Sequence, residues 1–159
     1  MKVAFVHIPF GHRRFSENLK VVDEEFILSP PIILAYVAAI VERAGHQAFI
    51  VEAHGKGLTA AQAAGEIKRL GADVICVRLD AYGFQQSIRW LRLLKARTGL
   101  PVIAGGIAVT DYPADVMTRE EIDYAIMGEA VGRLPRLLRA LEWGDPVESL
   151  DGLAYRDGE

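Results

Sequence analysis

Apolar residues along this chain fall into two kinds of run. Short, unbroken runs rich in β-branched and aromatic residues occur at 2–8 (KVAFVHI), 46–52 (HQAFIVE), 72–79 (ADVICVRL), 101–105 (PVIAG) and 123–128 (DYAIMG). Runs of this length without polar alternation predict strands covered on both faces. Longer segments with apolar positions three and four apart lie between them. Residues 31–44 read as a helix, with Pro31 tolerated in its first turn and Gly45 just past its end. Residues 59–71 form an amphipathic segment with Thr59 as candidate N-cap. Residues 84–99 set Phe84, Ile88, Leu91 and Leu94 on one face, and residues 130–143 do the same with Leu134, Leu137, Leu138 and Leu141. A short helix is expected over 113–118. Strands alternating with helices predict an α/β fold. We expect a flavodoxin-like (Rossmann-like) three-layer sandwich with a five-stranded parallel sheet in the order 2-1-3-4-5.

Two segments depart from this rhythm. The helix at 31–44 carries ten almost wholly apolar inner residues and has no wide polar face. It is expected to bury more than one side, against the sheet and against something else. Residues 9–29 lack periodicity, and so long a connection in a compact domain tends to carry function. There is no internal repeat or low-complexity segment. The 159 residues make one domain of ordinary size. A net charge of −3 leaves no electrostatic footprint for nucleic acid. The apolar stretch 32–41 is too short to span a bilayer, and the N-terminus lacks a secretory signal, so no membrane partner is expected and the cytoplasm is the expected compartment. A single cysteine excludes an internal disulfide and a multi-cysteine metal site. Cys76, inside a strand run, reads as an inert core thiol. His46, at the start of a strand, is expected at the surface.

In open parallel sheets ligands bind outside the carboxyl ends of the strands, near the switch between the first and third. In this chain those ends read HIPFGHRRFSEN, RLDAYGF, GGIAVTDYP and MGEAVGR, and each holds glycine: Gly11, Gly83, Gly105 with Gly106, and Gly128. A glycine pair at the end of a buried strand marks a φ > 0 turn or a close approach. Neither GxGxxG after the first strand nor a GxxxxGK phosphate loop occurs, which disfavours dinucleotides and nucleoside triphosphates. Asp80 sits where a phospho-accepting aspartate would, but Ile8, Pro9 and Phe10 stand where the Mg²⁺-holding acidic pair would be needed. His7 and His12 lie near the expected site and could approach a metal, although each alone reads as structural. No HExxH and no Ser/His/Asp set falls at matched ends. Glu129 is expected to accept backbone N–H bonds, and Asp111 and Asp115 to cap turns or helices.

In this order, SPPIILAYVAAIVERAGHQAFIVEA, GADVICVRLDAYGFQQSIRWLRLLKARTGLPVIAGGIAVT, EIDYAIMGEAVGRLPRLLRALEWG and LDGLAYRDGE resemble the cobalamin-binding domain that precedes the catalytic barrel in many radical S-adenosylmethionine enzymes. Methyltransferases and anaerobic magnesium-protoporphyrin ester cyclases belong to that group. The similarity covers essentially the whole chain, and its most specific pieces are the proline-led helix, Gly105-Gly106 and Gly128-Glu129. It implies a cobalamin-binding domain over 1–145 and the start of a linker to a missing barrel over 146–159. The corrin would lie over the strand ends, and its nucleotide tail would thread between sheet and helices. Implied cofactor contacts are Pro9, Phe10, Gly11 and His12 after the first strand, and Val77, Leu79, Asp80 and Tyr82 at the third. After the fourth come Gly105, Gly106, Ile107 and Thr110, and after the fifth Gly128 and Glu129. A large side chain at Gly106 is expected to abolish cobalamin binding with the fold retained.

The chain departs from the family in places. The DxHxxG loop, whose histidine ligates cobalt in methionine synthase, reads HIPFGHRR, and the radical enzymes commonly lack that histidine too. Val77 replaces the serine of SxL, Ala108 stands where GGxHAT has histidine, and GEGE reads GEAV. No CxxxCxxC is present, so a [4Fe–4S] cluster and S-adenosylmethionine would belong to the missing barrel, the expected partner, and the chain is not expected to be catalytic alone. Alternatives remain: a degenerate flavodoxin-like domain that binds no corrinoid and serves as a docking piece, or, more weakly, an unrelated small-molecule enzyme on the same fold. An excised domain of this kind could also pair with itself through surface meant for its partner.

Overall fold

A computed structural model describes residues 1–9 and 30–156. The strands are β1 (Lys2–His7), β2 (Gln47–Glu52), β3 (Val74–Arg78), β4 (Val102–Gly105), β5 (Tyr124–Ile126) and β6 (Leu153–Tyr155). The helices are α1 (Ile32–Arg43), α2 (Ala60–Leu70), α3 (Phe84–Thr98), α4 (Ile107–Asp111), α5 (Pro113–Met117) and α6 (Ala130–Trp143). The sheet runs β2-β1-β3-β4-β5-β6. The first five strands are parallel and in the expected order. The sixth is antiparallel to β5, with Ile126 opposite Leu153 and Tyr124 opposite Tyr155. Five strands is therefore corrected to six. The last strand escaped notice because its three residues, GLAY in context, are too few for any period to show.

Strand alternation sends side chains to two cores. Val3, Phe5, Val74, Cys76 and Ile103 meet α1 and α6 on one face, while Ala4, Val6, Ile75, Val77 and Ala104 meet α2, α3, α4 and α5 on the other. Local chemistry sets the helix ends. Thr59 Oγ1 accepts from the Gln62 N–H and the Gln62 side chain accepts from Thr59 N–H at 2.9 Å, a reciprocal N-cap, while Gly71 closes α2 in the left-handed conformation. The short helix expected over 113–118 is α5, and a further short helix, α4, precedes it, the two meeting at Tyr112. Neither is capped by a side chain, so Asp111 and Asp115 do not play the capping role expected of them.

Two burial expectations also change. Only Leu34, Ala38 and Val41 of α1 are buried, one stripe against the sheet, and Ile32, Ile33 and Tyr36 stand exposed. His46 is not at the surface. It is 8% exposed, with Nδ1 3.2 Å from the Met1 amino group and 3.7 Å from Glu142 at the end of α6. Burial, and then the Met1 ammonium, hold its pKa below the ordinary value, against the pull of Glu142. Cys76 is buried as expected, and burial pushes its thiol pKa far up, leaving it inert. Among the described residues no helix is long and apolar enough to cross a membrane.

Candidate functional site

The carboxyl ends of β1, β3, β4 and β5 form one edge, and the turn after β4 is its centre. Arg78 lies opposite Gly105 in the ladder, and Leu79 N–H donates to Gly105 C=O at 2.8 Å. Leu79 C=O then accepts from Ala108 N–H at 3.1 Å, which stitches the β3 end to the first turn of α4. Gly106 sits inside this stitch at φ 105°, ψ −177°, a conformation open essentially to glycine alone. A Cβ there would lie 2.6 Å from Leu79 O. Gly105 is different. Its φ is ordinary, and among the described residues a Cβ built on it meets nothing within 4 Å. It follows Ala104 in the alternation, so it faces the α1 and α6 side.

The two glycines were expected to open one channel together. The structure separates them: Gly105 leaves open space, while Gly106 lets two backbones touch. A large residue at 106 would collide with the Leu79 backbone, so the expectation of a retained fold is corrected.

Thr110 joins this turn to the next one. Its hydroxyl donates to Gly106 C=O at 3.2 Å and its Oγ1 accepts from Gly128 N–H at 2.9 Å. Glu129 is exposed at the N-cap position of α6, but its carboxylate makes no capping bond, contrary to expectation. Tyr82 and Ile107 are about half exposed on the edge. Asp80 is engaged by Arg78 at 2.8 Å. Val77 and Leu79 are buried in the core beneath the edge, and Ala108 is buried beside them. Pro9 closes β1, half-buried; Phe10, Gly11 and His12 lie outside the described residues. The edge thus brings together Asp80, Tyr82, Gly105, Gly106, Ile107, Thr110, Gly128 and Glu129, with Val77 and Leu79 as its floor.

His7 was expected near this edge, but its partner was not foreseen. His7 and Glu52 end adjacent strands in register, and His7 Nδ1 lies 2.9 Å from both Glu52 oxygens. Glu52 also accepts from Gly55 N–H at 2.8 Å, and the His54 ring stands 5.0 Å from that of His7. The only signal in the sequence was that both residues terminate strand runs. Among the described residues, no group of three or more histidine, cysteine or acidic side chains could hold a metal ion.

A doubly wound domain with glycines along its carboxyl edge is an α/β fold of the class in which ligands, where bound, lie over the strand ends. The B12 binding domain family matches residues 27–138, and the chain belongs to that family. It is 27% identical, over 139 residues, to the anaerobic magnesium-protoporphyrin IX monomethyl ester cyclase of Synechocystis sp., covering 82% of this chain and 27% of the cyclase. Its fold matches the radical S-adenosylmethionine methyltransferase TsrM from Kitasatospora setae, solved with cobalamin and a [4Fe–4S] cluster bound, at a TM-score of 0.78 and 16% identity over 98% of this chain and 29% of that one. It also matches OxsB, a cobalamin-dependent S-adenosylmethionine radical enzyme solved with aqua-cobalamin and S-adenosylmethionine, at 0.76 and 13% identity over 98% of this chain and 21% of that one. The chain thus spans between a fifth and a third of the length of these relatives. The resemblance read from the sequence is the one these comparisons carry.

Proposed function

We propose that this chain is a cobalamin-binding module that holds the corrinoid over the carboxyl edge of its sheet, without a histidine of the DxHxxG pattern. The observation that carries the reading is the space that the described residues leave at Gly105, on the sheet face bearing α1 and α6, beside the tight turn that Gly106 fixes. A long nucleotide tail needs a backbone without a side chain at one strand end and a fixed turn beside it. Thr110 and Gly128 hold the neighbouring turn at the same level, and Tyr82 and Ile107 offer exposed apolar surface to a macrocycle. Bound cobalamin would supply methyl-transfer or radical chemistry; this chain's share is positioning and exclusion of water.

A partner domain follows from the same reading. Ile32, Ile33 and Tyr36 at the start of α1 stand exposed close to the strand ends, where a radical S-adenosylmethionine barrel of the parent chain would cover them and hold the [4Fe–4S] cluster. The test is titration of the purified chain with hydroxocobalamin, followed by visible absorbance and gel filtration. Retention of about one equivalent with the protein is the expected result. A folded protein that emerges colourless would overturn the module and leave the corrinoid-free docking domain.

A further inference from the structure

Resting on that reading, we propose that Arg133 is a positioning residue that makes strand β6 and the Gly128-Glu129 turn of the cofactor edge move as one unit. Arg133 lies in the first turns of α6, and its guanidinium reaches both. Nη1 donates to Glu129 C=O at 3.4 Å, Nε to Asp151 C=O at 3.0 Å and Nη2 to the Asp151 carboxylate at 3.2 Å. Arg136 holds the other Asp151 oxygen at 2.9 Å.

Two glycines make room for this group. Gly128 and Gly152 both have φ of 68°. A Cβ on Gly128 would lie 3.3 Å from Arg133 Nη1, and one on Gly152 would lie 2.8 Å from its Cζ. Each glycine also passes the contact onward. Gly152 C=O accepts from Met127 N–H at 2.8 Å, and Gly128 N–H donates to Thr110 Oγ1, which reaches Gly106. A planar fork of donors can serve two segments at once; a lysine ammonium is a compact point donor and cannot reproduce the fork. Movement of β6 therefore reaches the turns beside Gly105 through the Arg133 side chain as well as through the Met127–Gly152 backbone bond.

Amide hydrogen exchange of the chain without cofactor tests this, with Met127 reporting β6 pairing and Gly128 reporting the edge turn. In Arg133→Met both amides should exchange about tenfold faster or more, while amides of β1 and β3 stay within about twofold of wild type. Arg133→Lys keeps a cation beside Asp151 and should bring Met127 back toward the wild-type rate while Gly128 stays fast. Asp151→Asn, at an exposed position, should speed both amides to a smaller degree and serves if Arg133→Met folds poorly. The Arg133→Met protein should also bind hydroxocobalamin about fivefold or more weakly. A wild-type Gly128 rate in Arg133→Met, or full restoration of both amides by lysine, would overturn the proposal. If the wild-type chain takes up no hydroxocobalamin, the module reading fails while the exchange comparison still decides the role of Arg133.

Discussion

Replacing each glycine of the Gly105-Gly106 pair separately should give opposite results. At Gly106, alanine must occupy φ 105°, ψ −177°, a region that costs a side-chain-bearing residue about 1–3 kcal/mol. Its Cβ would also sit 2.6 Å from Leu79 O, so the turn must shift. Any shift strains the Leu79 N–H to Gly105 C=O bond at 2.8 Å and the Ala108 N–H to Leu79 C=O bond at 3.1 Å. Each backbone hydrogen bond contributes about 0.5–1.5 kcal/mol, so Gly106→Ala should cost about 2–6 kcal/mol in all. For a domain of this size that lowers Tm by about 5–20 °C. Gly105→Ala meets neither a forbidden φ nor, among the described residues, a neighbour within 4 Å. It should stay within about 1 kcal/mol of wild type, with reduced unfolded-chain entropy favouring alanine. Gly105→Leu should keep the fold but fill the open space, weakening hydroxocobalamin binding about 30-fold or more, or about 2 kcal/mol. Thermal unfolding by circular dichroism and absorbance titration of the same samples read both effects. Gly106→Ala melting with wild type would refute the close approach, and a Gly105→Leu protein with wild-type affinity would refute the cradle.

Three further outcomes follow from local geometry. The lowered pKa of His46 means that the unfolded chain, protonating near 6.5, binds more protons than the folded one below that pH. Stability should therefore be complete above that value and decline as pH falls through it toward the folded pKa; urea midpoints across the range should slope in wild type and flatten in His46→Gln. An unchanged slope in the variant would remove His46 as the cause. Thr59→Ala deletes a reciprocal cap and should cost about 1 kcal/mol in urea unfolding with no change in the m-value. Thr110→Val removes the hydroxyl shared by Gly106 and Gly128 and should cost about 0.5–1.5 kcal/mol, with a measurable loss of hydroxocobalamin affinity in the absorbance titration.

Much of the site was readable from residues because parallel sheets place ligands at a known edge. Once the strand runs were recognised, Gly105, Gly106, Thr110 and Gly128 fell on that edge by counting. The roles within the set were not readable. Val77 and Leu79 proved to be floor, because strand parity alone does not say how deeply a residue lies below the last ladder bond. The His7–Glu52 pair and the Arg133 bridge join residues 45 and 18 positions apart, and only strand register and the folding back of β6 bring them together.

By itself the sequence determined the alternation of five parallel strands with helices, the α2 cap at Thr59 and the glycine-bearing turns, since period, capping and backbone freedom are properties of neighbouring residues. Tertiary structure alone decided that a sixth, antiparallel strand closes the sheet and that His46 is buried between the Met1 amino group and the end of α6. It also decided that of two adjacent glycines one faces open space and the other a carbonyl. Those outcomes depend on which backbone lies opposite in space, and no local pattern encodes that distance.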